Sequence, residues 1–348
     1  MAQPRLRPDI DLEIGAGLSA EFLLEGLRAA AEPTRLRLLA LCARAELTVS
    51  DLMQIVGQSQ PRVSRHLKLL CEAGLLVRVR EGTWAYYRLA QTGPGAVLGG
   101  TLVDLVPPED ALFALDAERL EAIKRGRAEA AAAYFRSNAA EWHRLRALHA
   151  DPREVERKLL SLLPPQGIGE LLDIGTGTGR ILDLYGPCVG HALGIDQSRE
   201  MLSVARVNLE KHGLSNCAVR QADMYQLPLN GASVDAAILH MVLHYAERPA
   251  EVLAEAARVL RPGGRLLVVD FAPHKELNLL KDHAHRWPGF ATEEVTGWCA
   301  AAGLTVSTVE SLAGTPLTVS FWLAQKLPAL HSIDGSLAEG NQAEGNQA

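Results

Sequence analysis

The stretch Leu171-Leu-Asp-Ile-Gly-Thr-Gly-Thr-Gly-Arg-Ile-Leu182 places a glycine-rich turn directly after an apolar strand and before a helix. Because glycine has no Cβ, such a turn lets the backbone approach a ligand closely. Asp196 ends the next apolar run, about 20 residues beyond the turn, where an acidic residue is placed to bind ribose hydroxyls. The stretch therefore predicts an α/β domain that binds a ligand containing ribose.

Two other interpretations of this turn fit the sequence less well. A dinucleotide fingerprint needs glycine or alanine at the sixth position from Gly175, and Arg180 stands there. A purely structural turn does not account for the features that follow. Gln221-Ala-Asp-Met224 ends a third apolar run with a carboxylate, Asp223, that suits an adenine amino group. Val259-Leu-Arg-Pro-Gly-Gly then leads into a further run.

Short apolar runs alternate with helical segments through the second half of the chain. The candidate strands are residues 171–174, 191–195, 218–221, 234–239 and 265–271. Such alternation is typical of a parallel sheet with helices on both faces. The runs 304–309 and 317–323 lie too close for a crossover helix, so they predict an antiparallel hairpin.

Over residues 150–326 this ordered series resembles the class I adenosylmethionine-dependent methyltransferases, close to the ubiquinone/menaquinone-biosynthesis branch. The resemblance implies a Rossmann-like α/β domain with a seven-stranded mixed sheet that binds S-adenosylmethionine or S-adenosylhomocysteine. It implies contacts with the ligand's methionine part from Asp173, Gly175, Thr176, Gly177 and Gly179, with ribose from Asp196, Gln197 and Met201, with adenine from Ala222, Asp223 and Met224, and with the substrate side from His240.

The N-terminal part has a different pattern, with two short helices in succession. Residues 48–57 predict a helix with Thr48 or Ser50 as its N-cap and Gly57 as its stop. After a turn at residues 58–60, a second helix follows over residues 61–74, with apolar positions on one face. The remaining faces of this second helix are polar and basic, as reading of the major groove requires.

Residues 75–89 form two strand-like runs around Glu81-Gly82, which predicts a hairpin. This hairpin places Arg78, Arg80 and Arg88 where a wing meets phosphates. A small helical domain with a plain hairpin is the alternative. The candidate DNA-binding residues are Gln58, Ser59, Gln60, Arg62, Ser64, Arg65, His66, Lys68, Arg78 and Arg80.

Pro33-Thr-Arg-Leu-Arg-Leu-Leu, Ser64-Arg-His-Leu-Lys-Leu-Leu, Glu72-Ala-Gly-Leu-Leu and the hairpin resemble the ArsR/SmtB family of winged-helix repressors. The resemblance implies an α+β winged helix-turn-helix domain, and a homodimer on an inverted repeat of double-stranded DNA whose affinity an effector changes. Thr48 and Ser50 stand where metal-sensing members carry cysteines. Hydroxyls are poor ligands for soft metals, so we expect no metal site.

Composition agrees with two globular domains. The chain has 348 residues, 48% hydrophobic and 22% charged, and its net charge of −6 argues against coating nucleic acid along its whole length. Its five cysteines are scattered, without a C-x-x-C pair. With no apolar run of signal-peptide or membrane length, we expect a cytoplasmic protein that does not enter a membrane.

We predict a flexible N-terminus at residues 1–18, a winged helix at 19–91, a connector and helical dimerisation segment at 92–149, a ligand-binding domain at 150–327, and a disordered tail at 328–348. Within the segment, residues 92–108 predict an irregular connector because of their Pro and Gly clusters. One hypothesis is that the ligand repacks Tyr134, Phe135 and Trp142 at the pocket mouth; alternatively, these aromatic side chains are plain core. Residues 275–290 are expected to cover the pocket.

Two functions fit these features, and two others fit them poorly. The combined architecture resembles fused regulators of methionine-cycle genes that respond to S-adenosylhomocysteine. An active small-molecule methyltransferase is the alternative, with His240 as the candidate base and His244 expected to be structural. Arsenite methylation would need clustered cysteines, and Cys188, Cys217 and Cys299 form no close set in the sequence. An interaction scaffold is disfavoured by the intact glycine turn.

Overall fold

The computed structural model describes residues 19–81, 84–107, 109–146, 151–275, 286–314 and 317–327. The N-terminal part contains α1 (Ala20–Ala30), α2 (Pro33–Arg44), β1 (Leu47–Thr48), α3 (Val49–Val56), α4 (Gln60–Glu72), β2 (Leu76–Glu81), β3 (Trp84–Leu89) and α5 (Gly93–Asp104). Strands β1 and β2 flank β3 in an antiparallel sheet. The winged helix-turn-helix prediction is confirmed.

Local sequence explains both ends of the helix pair. Thr48 caps α3, since its hydroxyl accepts the Asp51 N–H at 3.2 Å while the Asp51 carboxylate accepts the Thr48 N–H at 2.8 Å. Gly57 ends α3 in the left-handed conformation that favours glycine. In α4 the apolar face is fully buried and consists of Val63, Leu67 and Leu70. This burial fixes which face of α4 remains open to a partner.

The connector expected at residues 92–108 is in fact mostly helical, as α5. Its glycines allow close packing that outweighs their poor helix propensity. A Cβ on Gly95 would lie 2.0 Å from the Gly74 carbonyl oxygen, and one on Gly99 would lie 2.8 Å from Cδ1 of Leu89. Leu98 is buried in the same core. Tertiary packing of the glycine face, invisible in local composition, makes this segment a helix.

Two helices join the halves of the chain, α6 (Ala111–Arg146) and α7 (Pro152–Leu162). The first turns of α6 belong to the N-terminal core: Leu120 is fully buried, and Asp116 forms a buried ion pair with Arg37, whose Nε and Nη2 each donate at 2.6 Å. The side chains of Tyr134, Phe135 and Trp142 lie outside the described part of the structure. The hypothesis that they respond to ligand therefore stays a prediction.

The C-terminal part is a sheet with helices on both faces. Its elements are β4 (Glu170–Ile174), α8 (Arg180–Tyr185), β5 (His191–Asp196), α9 (Arg199–Lys211), β6 (Cys217–Gln221), β7 (Val234–His240), α10 (Pro249–Val259), β8 (Leu260–Phe271), α11 (Thr292–Ala301), β9 (Leu304–Leu312) and β10 (Val319–Lys326). The strand order is β6-β5-β4-β7-β8-β10-β9, parallel except for β10, which runs antiparallel to both neighbours. The Rossmann-like seven-stranded mixed sheet and the late hairpin are confirmed.

The sheet separates two apolar cores. One, on the side of α10 and α11, includes Trp322 and Phe290; the other, on the side of α7 to α9, includes Tyr185 and Phe321. Residues 1–18, 276–285 and 328–348, for which flexible or covering roles are predicted, lie outside the described residues. Among the helices described, none combines the length and apolar character needed to cross a membrane.

Candidate functional site

A cavity of about 750 Å³ lies at the carboxyl ends of β4, β5 and β7, where ligands bind in open parallel sheets. Nine of the predicted residues line it: Gly175, Thr176, Gly177, Asp196, Gln197, Met201, Ala222, Met224 and His240. Ser198, which was not predicted, lines it as well. The sheet brings these residues together from four separate segments, because β4, β5, β6 and β7 end at the same edge.

The three glycines of the turn are glycine for different structural reasons. Gly175 has φ +75°, and a Cβ there would lie 2.3 Å from Cγ2 of Val242, so side-chain packing excludes any larger residue. Gly177 also has positive φ, but no atom lies within 4 Å of its Cβ position. Gly179 is the left-handed N-cap of α8, packs on Ala205 and does not line the cavity. Gly177 is therefore the glycine that leaves room for a ligand.

Asp173 is a buried carboxyl on β4, two residues before Gly175, and is not itself part of the cavity lining. Neither of its oxygens accepts a hydrogen bond within the part of the chain that the structure describes. Burial raises its pKa to about 7, with a further rise from Asp196 and a partial offset from the nearby Thr176 hydroxyl. An orphaned carboxyl of this kind suits a ligand that brings a positive charge or hydrogen-bond donors.

Asp196 organises the second strand end. One carboxylate oxygen accepts the Gly177 N–H at 2.9 Å and the other accepts the Ser198 N–H at 2.8 Å. Ser198 in turn caps α9, since its hydroxyl accepts the Met201 N–H at 3.2 Å. A ligand that hydrogen-bonds to Asp196 therefore acts at the first turn of α9.

The other end of the cavity contains aromatic and imidazole groups. His240, Met241, His244, Tyr245 and Phe271 line it. Met241 has φ +56°, a backbone strain that is rare outside glycine and concentrates at functional sites. The His244 ring is buried and its Nδ1 lies 2.7 Å from the Asp270 carboxylate, which also accepts the His244 backbone N–H at 3.2 Å.

Helix α7 supplies a wall that the sequence did not predict. Pro152, Val155 and Glu156 line the cavity, and the Glu156 carboxylate accepts two hydrogen bonds from Arg180, each at 2.7 Å. This bidentate pair joins α7 to the glycine turn. Val242, Phe271 and Val319 also line the cavity and were not predicted. Phe271 and Val319 come from strands in which no sequence motif marks a ligand-binding residue.

Two further predicted positions lie away from the cavity surface. Asp173 is buried on β4, as described, and Asp223 is exposed, with its carboxylate accepting the Tyr225 N–H at 3.0 Å. The adenine role of Asp223 remains a prediction that this geometry does not favour. Ala222 and Met224, on either side of it, do line the cavity.

The second candidate site is the open face of α4 and the wing. Ser59, Gln60, Arg62, Arg65 and Lys68 are exposed, Ser64 is half-buried, and Arg78 and Arg80 are exposed on β2. A groove of about 800 Å³ runs between α4 and the wing, with Gln60, Ser64 and Lys68 on one side and Arg78 and Trp84 on the other. The described residues thus present several cations on one face of an acidic protein.

Three residues expected at the DNA face point elsewhere. The Gln58 amide donates to the Thr34 hydroxyl at 2.9 Å, and His66 Nδ1 lies 3.6 Å from the Glu32 carboxylate. Burial lowers the pKa of His66, and Glu32 opposes this effect. Arg88 lies on the strand face opposite Arg78 and contacts Glu46 at 4.0 Å. Each has a partner distant in sequence that the local pattern did not predict, and their DNA contacts stay predictions.

Family comparisons match both parts of the chain. Residues 32–77 match the family described as bacterial regulatory protein, arsR family, and residues 172–268 match the methyltransferase domain family. The arsenic resistance transcriptional regulator ArsR1 of Pseudomonas putida is 50% identical over 60 residues, covering 17% of this chain and 47% of that protein.

The arsenite methyltransferase of Halobacterium salinarum is 36% identical over 103 residues, covering 29% of this chain and 26% of that protein. Among solved structures, YcgJ from Bacillus subtilis has 19% identity and a TM-score of 0.46, covering 50% of this chain and 99% of that one. These two curated relatives are matched over about a quarter to a half of their own length.

Proposed function

We propose that this chain, which joins an arsR-family helix-turn-helix domain to a methyltransferase domain, is a DNA-binding transcriptional regulator whose second domain binds S-adenosylmethionine or S-adenosylhomocysteine as effector. Its DNA target is an inverted repeat bound by a homodimer in the cytoplasm. The two ligands differ by a sulfonium charge and a methyl group, and a regulator that distinguishes them responds to the methylation state of the cell.

The chemistry of the cavity is the observation that carries this proposal. Asp173, buried behind the glycine turn, has an orphaned carboxyl that suits the ligand's ammonium. Asp196, which lines the cavity, offers a carboxylate to ribose hydroxyls. Between them Gly177 leaves space where any side chain would intrude. These groups fit both ligands, because both carry the amino acid and the ribose.

An apolar surface supports the dimer. Leu24 and Leu27 on α1 and Val97 on α5 are exposed, and the two helices pack on each other where Gly26 meets Leu98. Contiguous exposed apolar side chains favour burial against a partner. A second copy of the same face gives the two-fold symmetry that an inverted repeat requires.

Fluorescence anisotropy with duplex DNA from the chain's own upstream region tests the proposal. At fixed salt, S-adenosylmethionine and S-adenosylhomocysteine are titrated separately, since DNA affinity depends strongly on ionic strength. We expect a several-fold shift of the DNA Kd with one ligand and none in Asp196→Ala. Tight ligand binding without any shift in either titration would refute the regulatory role.

A second function is favoured by the far end of the cavity. His240, the candidate base, and His244, expected to be structural, both line the cavity with Tyr245. Because Asp270 orients the His244 ring, His244 replaces His240 as the proposed proton acceptor for a methyl-accepting substrate. S-adenosylmethionine bound there supplies a methyl group on a sulfonium. None of the described residues that line the cavity is a cysteine, which disfavours arsenite as acceptor. Transfer of labelled methyl from S-adenosylmethionine to a small molecule in cell extract, lost in His244→Gln, would support this alternative.

A further inference from the structure

The two domains meet at a carboxylate held by several arginines. Glu46 lies between α2 and β1 of the winged helix, and its side chain is 17% exposed. Arg220 on β6 donates from Nη1 at 2.9 Å and places Nη2 at 2.8 Å from the other carboxylate oxygen. The pair therefore combines one charge-assisted hydrogen bond with a second close contact between opposite charges, and charge-assisted hydrogen bonds are stronger than neutral ones. Here it crosses from one domain to the other.

Two more guanidinium groups surround the same carboxylate. Arg206 on α9 lies 3.9 Å from Glu46, and its guanidinium stacks 4.3 Å from the centre of the Tyr86 ring on β3. Arg88 on β3 lies 4.0 Å from Glu46. We call Glu46, Arg88, Arg206 and Arg220 the Glu46 cluster. One carboxylate thus offsets the mutual repulsion of three guanidinium groups where the two domains meet.

A second ion-pair chain runs beside the cluster. Arg127 on α6 donates to the Asp51 carboxylate at 2.7 Å and lies 3.7 Å from Glu210 on α9. Burial raises the pKa of Glu210, and Arg127 opposes that rise. Asp51 is the capping-box residue of α3, the helix that packs against α4. Helix α9 is thus linked to the start of the helix-turn-helix.

The elements that reach this interface also begin or end at the cavity. Helix α9 starts at Ser198, on Asp196, and continues about 14 Å from Met201 at the cavity to Glu210. At the end of β6, Ala222 donates its N–H to the Asp196 carbonyl at 3.1 Å, and the Gln221 amide donates to the Gln197 carbonyl at 3.0 Å. Arg220 is two residues before Ala222.

We propose that the Glu46 cluster and Arg127 couple ligand binding to DNA affinity. A ligand that engages Asp196 changes the hydrogen bonds at the first turn of α9 and at the end of β6. Both elements carry this change to Glu46 and Asp51, and α3 passes it to α4. The inference rests on the proposed function, since a coupling joint needs both an effector and a DNA site. The competing interpretation is a static tether.

Glu46→Gln tests the coupling, since it keeps the shape of the side chain and removes its charge. The assay compares the DNA Kd with and without saturating S-adenosylhomocysteine or S-adenosylmethionine; the ratio is the coupling factor. Calorimetry separately measures ligand affinity without DNA. Glu251→Gln is the matched control, because it breaks an exposed ion pair with Arg248 on α10, away from the interface.

We expect wild type and Glu251→Gln to share a coupling factor within the range of about 5 to 150 that is typical of allosteric proteins. In Glu46→Gln the factor falls to near 1, while ligand affinity and ligand-free DNA affinity each change less than about threefold. By reciprocity, DNA then ceases to alter ligand affinity. Should Glu46→Gln fail to fold, Arg127→Gln, which cuts the second chain, must show the same loss.

The outcomes separate the two proposals. A full coupling factor in a folded Glu46→Gln or Arg127→Gln protein makes the interface a static tether and overturns the inference alone. A wild-type factor of 1 with both ligands refutes the proposed function, and the coupling with it. A variant that loses ligand affinity itself would move the role of Glu46 to the pocket, which also overturns the inference.

Discussion

Asp173→Asn should stabilise the unliganded protein at pH 8 while it weakens ligand binding. Burial raises the pKa of Asp173 from an ordinary 3.8 to about 7. The folded state therefore keeps its proton up to about pH 7, whereas the unfolded chain loses it near pH 4. Between these values the folded state binds more protons, so the free energy of unfolding falls as the pH rises.

The size of the effect follows from that interval. About 3 pH units at about 1.4 kcal/mol each give a cost of about 4 kcal/mol for the ionised carboxyl above pH 7. Asparagine has the same shape and no charge, so the variant lacks this cost. Its advantage should be near zero at pH 4, grow to pH 7 and stay constant above. The amide also lacks partners, so about 4 kcal/mol is an upper bound.

Urea unfolding at pH 5 and pH 8 measures this difference. Three of the five tryptophans, Trp287, Trp298 and Trp322, lie in the second domain, so most of the tryptophans report on the domain that contains Asp173. Asp223→Asn is the control, an exposed carboxyl in the same domain that should change neither curve. An Asp173→Asn protein that is less stable than wild type at pH 8 would refute the reasoning.

The same variant should bind the ligand less tightly. A charged hydrogen bond contributes about 1.5–3 kcal/mol, so removal of the carboxylate should raise the Kd of S-adenosylhomocysteine by about 10- to 100-fold. In wild type the ammonium favours ionised Asp173, so binding at pH 7 should release protons and weaken as the pH falls below 7. Calorimetry in buffers of different ionisation enthalpy detects this release. Unchanged affinity would place the ammonium elsewhere.

Three further substitutions test the other features. Asp196→Ala should raise the Kd of S-adenosylhomocysteine at least tenfold by calorimetry, because two backbone N–H groups lose their acceptor along with the ligand; unchanged binding would move the ribose away from this strand end. Arg65→Ala should weaken binding to all DNA sequences and reduce the slope of log affinity against log salt concentration by about 1. Arg157→Ala, at an exposed position on α7, should do neither, and an equal effect of both variants would contradict the α4 interface. Gly95→Ala should destabilise by about 1–3 kcal/mol in thermal unfolding, while Gly100→Ala on the same helix, with open space around it, should not; equal melting temperatures would refute the close approach.

Local patterns predicted the elements well where the chain's own chemistry decides them. The N-cap at Thr48, one of the two candidates, the stop at Gly57 and the buried face of α4 depend on residues within a few positions of one another. The glycine turn and the strand ends near Asp196 were likewise visible, since each strand must present its polar end at the same sheet edge.

Side-chain partners that are remote in sequence were not predictable. Gln58 pairs with Thr34, and Arg88 approaches Glu46, although each was assigned to the DNA face. Periodicity shows which side of an element is apolar but not which charged group lies opposite. Gly175 illustrates the same limit, because its need for glycine comes from Val242, 67 positions later. Long-range packing supplied what local composition lacked.

The buried pair of Arg37 and Asp116 has a consequence for how such a chain is assembled in evolution. Asp116 and Leu120 complete the N-terminal core from α6, well after the wing ends at Leu89. A recombination event that joined another module directly after the wing would leave Arg37 buried without its carboxylate, at about 3–5 kcal/mol. Viable gene fusions to this winged-helix domain should therefore include the first turns of α6. The unit that is inherited is then longer than the part of the fold that contacts DNA.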